Sequence, residues 1–171
     1  STKGGITFAA STTQNGIHMI TVVLGVEAVD GDPYARFVAT SSLMNYVVRT
    51  FVSSIVVKEG DPYGKSKATI MDGKSETVLA VAKKDFYIVE KQGSQAEPKI
   101  QFKSNQESFR APVKSGTSLG KLHYTDPDKI GRGYLEDQEP TVDMVAGRTI
   151  EKSFFLKVWW NEFVRYVNEK L

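Results

Sequence analysis

The chain has 171 residues, 40% of them hydrophobic and 25% charged, with a formal net charge of +2. That composition is ordinary for a globular protein with one good core or two small ones. The small charge, with no Lys/Arg run carrying interleaved aromatics, excludes nucleic acid as the expected partner, and the absence of cysteine excludes thiol catalysis, disulfides and thiolate metal sites.

No apolar run approaches the ~18–20 residues of a membrane-spanning helix. The first residues do not read as a signal peptide. A chain starting at Ser1 rather than Met is expected to be a processed or partial product.

Residues 1–52 form a first zone. Ile6 to Thr13 reads as a strand, Gln14-Asn15-Gly16 as a tight turn, and Ile17 to Leu24 as a second, more apolar strand. Its continuous apolar run predicts burial on both faces. Gly25 to Pro33 is a loop rich in Asp and Gly. A helix is expected from about Tyr34 to Phe51, with Leu43, Val47 and Phe51 on one face and Met44 and Val48 beside them. Two strands and one helix cannot bury a core, so this is a piece of a larger α+β sheet.

Residues 53–147 read as β throughout. Strands are expected at Ser54–Val57, Lys67–Met71, Ser75–Val81, Phe86–Glu90, Lys99–Lys103, Phe109–Val113 and Gly120–Tyr124, with a last weak one near Tyr134. Turns fall at Gly60-Asp61-Pro62 and Asp72-Gly73. Short strands at this spacing describe a small, mostly antiparallel β-sandwich.

Residues 148–171 form the third zone and hold both tryptophans. Leu156, Trp159, Trp160, Phe163, Val164, Val167 and Leu171 recur at helical spacing, with Asn161, Glu162, Arg165, Asn168 and Glu169 opposite. Such an aromatic stripe suits a membrane interface, with Lys152, Lys157, Arg165 and Lys170 meeting anionic lipid. The other readings are a terminal helix packed on its own domain and a helix docked on a partner protein.

The candidates for chemistry are few. His18 and His123 lie in strand-like segments without ligand-spaced partners, so no metal site is expected. Lys114-Ser115-Gly116 and Ser118-Leu119-Gly120-Lys121 have the form of serine acyl-transferase motifs. They overlap within a hairpin, however. The mechanism needs the serine at a helix start with the lysine one turn on, so both read as chance.

The order of segments resembles a family. A hairpin with an Asn-Gly turn, a strand ending Val22-Val23-Leu24-Gly25, then Ala35-Arg36-Phe37 opening a helix with Leu43-Met44-Asn45-Tyr46, looks like the end of the transpeptidase-like domain of the low-molecular-weight D-alanyl-D-alanine carboxypeptidases. These are penicillin-binding proteins that trim peptidoglycan stem peptides. Val57 to Gly64 and Ala111 to Gly120 are similar to their C-terminal β-domain, and the last zone to their membrane anchor.

The resemblance implies a serine-type hydrolase acting through an acyl-enzyme and inhibited by β-lactams. It needs no cofactor and works at the extracytoplasmic face of the bacterial cytoplasmic membrane. It also implies what is missing: Ser-x-x-Lys, Ser-x-Asn and Lys-Thr-Gly would all lie upstream, leaving no catalytic residue here. Lys3-Gly4-Gly5 matches a loop just after Lys-Thr-Gly, or is a degenerate copy of that triad. Arg36 matches the family arginine that binds the terminal carboxylate of the substrate. The alternative for Arg36 is an ion pair with Asp30 or Asp32. The upstream half of the same protein is then the expected partner, and this chain alone is expected to be inactive. A reading of another class is a non-catalytic, membrane-attached β-module at the cell wall.

Overall fold

A computed structural model describes residues 5–26, 34–94, 97–126, 129, 133, 134, 138–154, 159, 160, 164, 166 and 167. The chain divides into two compact units, Ser1–Ser54 with Ile88–Gln95 and Ile55–Tyr87 with Ala96–Leu171. It is mostly β, with a curled mixed sheet and one long helix.

The first unit opens with β1 (Ile6–Gln14) and β2 (Ile17–Val26), an antiparallel pair. The Asn-Gly turn is present: Asn15 and Gly16 have φ of 53° and 75°. Both central residues of a type I′ loop need positive φ, which Asn tolerates and Gly adopts freely. One face of the hairpin carries Ile17, Met19, Thr21 and Val23, all buried, beside Phe8, Ala10 and Thr12. Helix α1 (Ala35–Thr50) packs against both strands.

Two expectations for this unit are corrected. β2 is not buried on both faces, because Ile20, Val22 and Leu24 are 71%, 58% and 73% exposed. The strand alternates because α1 covers only one face. Leu43 does not lie on the covered side of α1 and is exposed. The inward positions are Arg36, Ala39, Thr40, Met44, Val47 and Val48, which keep Met44, Val47 and Val48 of the expected face without Leu43.

The chain continues through β3 (Phe51–Val57), β4 (Pro62–Met71), β5 (Thr77–Ala82), β6 (Phe86–Lys91), β7 (Lys99–Ser104), β8 (Phe109–Arg110), β9 (Ser118–Thr125) and β10 (Thr141–Ala146). β3 and β6 form a two-stranded sheet. The second unit is built on a six-stranded sheet in the order β7-β9-β10-β5-β4-β8, antiparallel except for the β4–β8 pair. Its inner face supplies the core: Leu122, Tyr124, Val142, Met144, Val78 and Ala80 are each at most 2% exposed. Fully burying the larger of these side chains contributes about 1.5–3 kcal/mol each, so this unit holds most of the chain's hydrophobic stabilisation.

Corrections follow here too. No strand forms at Tyr134. The last strand is β10, in the middle of the sheet, from residues placed in the β zone but given no strand of their own. The expected strand at Phe109–Val113 shrinks to β8, and Val113 instead bridges Ile150. Residues 149–153 are extended rather than helical: Ile150 is buried, Lys152 bridges Gly73, and the Ser153 amide donates to the Asp72 carbonyl at 2.7 Å.

Candidate functional site

Arg36 stands in the first turn of α1, where no acidic residue or side-chain cap offsets the helix dipole. A cation there is disfavoured by the dipole, so something else must hold it. Its guanidinium lies 4.5 Å from the centre of the Phe37 ring. Phe37 in turn meets Phe8 of β1 edge-to-face at 5.0 Å. Buried Thr40 donates to the Arg36 carbonyl at 2.8 Å and fixes the backbone. Stacking holds one face of the guanidinium and leaves its N–H edges for a planar acceptor such as a carboxylate. Among the described residues no carboxylate lies within ion-pair distance of it. Asp30, Asp32 and the rest of the loop expected to approach this arginine lie outside the described residues, as do Lys3 and Gly4.

The uncovered face of the same hairpin carries Ala9, Ser11 and Thr13 opposite Val22, Ile20 and His18. His18 is exposed, with Nδ1 3.0 Å from the Thr13 hydroxyl. Sequence reasoning missed that this face stays open. The signal was present, since a continuous apolar run demands cover on both sides while α1 offers cover on one.

Ser115 is a turn residue. Its amide donates to Thr149 Oγ1 at 3.0 Å, and the neighbouring Gly116 amide donates to the Ala146 carbonyl at 2.8 Å. Ser118 and Lys121 both lie on β9, three residue steps apart along the strand, or roughly 10 Å. Neither pattern places a lysine nitrogen at a serine hydroxyl. His123 is half-buried on β9 between Gln101 and Thr141. Partial burial pushes its pKa below the ordinary value, and the charges of Lys103 and Lys121 push it further. Among the described residues no three His, Asp or Glu side chains gather as a metal site.

Of the terminal stripe, Trp159, Trp160, Val164 and Val167 are helical, and the first three are exposed. Tyr166, which the stripe omitted, is also helical and 63% exposed. Leu156, Phe163 and Leu171 lie outside the described residues. No helix among the described residues is long and apolar enough to cross a membrane.

Residues 51–152 match the family described as penicillin-binding protein 5, C-terminal domain, and the chain belongs to that family. It is 26% identical over 116 residues to a D-alanyl-D-alanine carboxypeptidase, DacA, of Haemophilus influenzae, covering 68% of this chain and 28% of that protein. It is similar to the crystal structure of a peptidoglycan synthesis regulatory factor, PBP3, from Streptococcus pneumoniae. That match has a TM-score of 0.81 and 43% identity, and covers 88% of this chain and 41% of the other. Penicillin-binding protein 5 from Haemophilus influenzae shares the fold, with a TM-score of 0.61 and 22% identity over 85% of this chain and 39% of that one. The chain spans less than half the length of each of these relatives.

Proposed function

We propose that this chain is the C-terminal portion of a serine-type D-alanyl-D-alanine carboxypeptidase, and that its first unit is the closing part of the catalytic sheet. The observation that supports this most is the open apolar face of β2, with Ile20, Val22 and Leu24 exposed. Covering three such side chains would contribute about 5–9 kcal/mol, at about 1.5–3 kcal/mol each. That is comparable with the whole stability of a domain, so the face is built to be covered. The upstream half of the protein is the occupant that the family relationship supplies. Lying on that half would be the nucleophile, its base and the β-lactam-reactive centre.

In this reading Arg36 holds the terminal carboxylate of a stem peptide through a paired N–H contact while Phe37 backs the guanidinium. The second unit is non-catalytic. The terminal stripe of Leu156, Trp159, Trp160, Phe163, Val164 and Val167 rests on the outer face of the cytoplasmic membrane, its aromatics in the headgroup boundary. The zones 1–52, 53–147 and 148–171 serve as catalytic remnant, spacer domain and anchor.

Intact mass before and after adding a penicillin tests the activity. The expected result is an adduct on the upstream polypeptide when it is co-expressed, and none on this chain. An adduct on this chain, or no adduct on either, would overturn the reading. The alternative of a non-catalytic β-module draws on the family match covering residues 51–152 and not the hairpin. It is favoured if residues 53–171 alone bind vesicles and the co-expressed pair stays unreactive.

A further inference from the structure

On the outer face of the six-stranded sheet, Leu79, 53% exposed, and half-buried Val81 form the floor of a groove of about 450 Å³, closed by Pro62, Gly60 and Gly147. This volume lies within the range of ligand sites, about 300–1,000 Å³. A side chain at Gly147 would meet Val81 Cγ1 at 2.9 Å, so the floor stays open only with glycine there. Two cations border it. Lys67 is the cross-strand partner of Leu79, and Arg148 follows Gly147. Arg148 is held in place: its Nη2 donates to Ser75 Oγ at 3.4 Å, and that hydroxyl donates to the Thr77 carbonyl at 2.8 Å. Among the described residues neither cation has a carboxylate within ion-pair distance. Arg148 also borders a second, more polar depression of about 390 Å³ lined by Lys74, Thr149 and Glu151. Arg148 thus lines both depressions.

The geometry points to a binding site for a short extended peptide segment carrying an aliphatic side chain next to carboxylates. The aliphatic group lies on Leu79 and Val81, and the carboxylates meet Arg148 and Lys67. A nucleic acid base would want an aromatic platform, which the floor lacks. A concave groove with two cations at its rim, one of them held by Ser75, fits an acidic–aliphatic strand better than a planar lipid surface. This site lies wholly in the second unit and does not depend on the activity proposed above.

The test is a titration of the whole 171-residue chain, ¹⁵N-labelled, with the peptide acetyl-Glu-Leu-Glu-Leu amide, followed by amide shifts. Two control peptides replace Glu by Gln or Leu by Ser. The expected result is saturable shifts at Lys67, Thr77, Leu79, Gly147 and Arg148, at least tenfold weaker for both controls. Arg148→Glu, and separately Leu79→Ser, should weaken binding at least tenfold without changing the melting temperature. Lys103→Glu, on the same sheet but outside the groove, should leave it unchanged. Absence of saturable shifts, equal binding of the controls, or no effect of either groove variant would overturn the proposal. So would shifts at these amides that grow with protein concentration alone, which would make a second copy the occupant.

Discussion

Asp72 shows how much one residue settles in the second unit. It sits in the left-handed region at φ 59°, is 6% exposed, and ends β4 just before the connection to β5. Its carboxylate is 3.3 Å from Arg110 Nε on β8, and its carbonyl takes the Ser153 amide. The sequence marks the turn through Asp72-Gly73. It does not mark the ion pair, because the partner comes 38 positions later through a parallel strand pairing. Arg110→Met should lower the stability of this unit by about 1–3 kcal/mol, the typical consequence of weakening the partnering of a buried polar group. Urea unfolding of the variant and the parent checks it.

His123 adds a pH dependence. Burial, Lys103 and Lys121 hold its folded pKa below the unfolded value of about 6.5, while Glu139 opposes them. The unfolded chain therefore takes up a proton first as pH falls. This histidine costs no stability well above the unfolded pKa, and the cost grows as pH drops through it toward the folded value. Between pH 7.5 and 5.5 the urea midpoint should fall more for the parent than for His123→Gln. An equal fall would show that His123 carries none of it.

At the scale of elements, the parts legible in the sequence were those with local chemistry. The β1–β2 turn follows from Asn15 and Gly16, and α1 begins and ends within one residue of its expected bounds. β10 was not legible. It reads Thr-Val-Asp-Met-Val-Ala, with an aspartate at its middle and an acidic loop before it. It is a strand because Asp143 points outward, beside Lys121 in register and 3.9 Å from Lys83, while Val142, Met144 and Ala146 fill the core. Only the tertiary sheet supplies those partners.

Segment 149–153 looked helical for a similar reason, since its bridges to Val113 and Gly73 are non-local. That sets where the terminal stripe can be removed without harming the second unit. Deletion from residue 155 onward should abolish co-sedimentation with anionic vesicles while leaving the melting of the β unit unchanged. Replacing Trp159 and Trp160 together by Ala should lower vesicle partitioning roughly hundredfold, at about 1.5 kcal/mol or more per side chain. Unchanged partitioning would favour a protein partner for the terminal stripe over lipid.

For the whole molecule, the two units differ in what they complete. The second has a continuous buried core, from Val78 through Met144 to Ile150. The first buries one side of a hairpin and leaves an apolar side open. The family resemblance made readable only that the motifs carrying the chemistry were expected upstream; that the outer side of β2 stays open was not read from the sequence. What Arg36 faces was less legible, since a guanidinium at a helix start can pair with a substrate carboxylate or with Asp30 or Asp32 of the preceding loop. On the reading proposed above, this hairpin belongs to a sheet finished by an upstream polypeptide. Amide hydrogen exchange measures it directly. In the chain alone, β1 and β2 should exchange far faster than β5, β9 and β10, and adding the upstream segment should protect β2 to the level of those strands. Equal protection of β2 and β10 in the isolated monomer, unchanged by the upstream segment, would contradict the account.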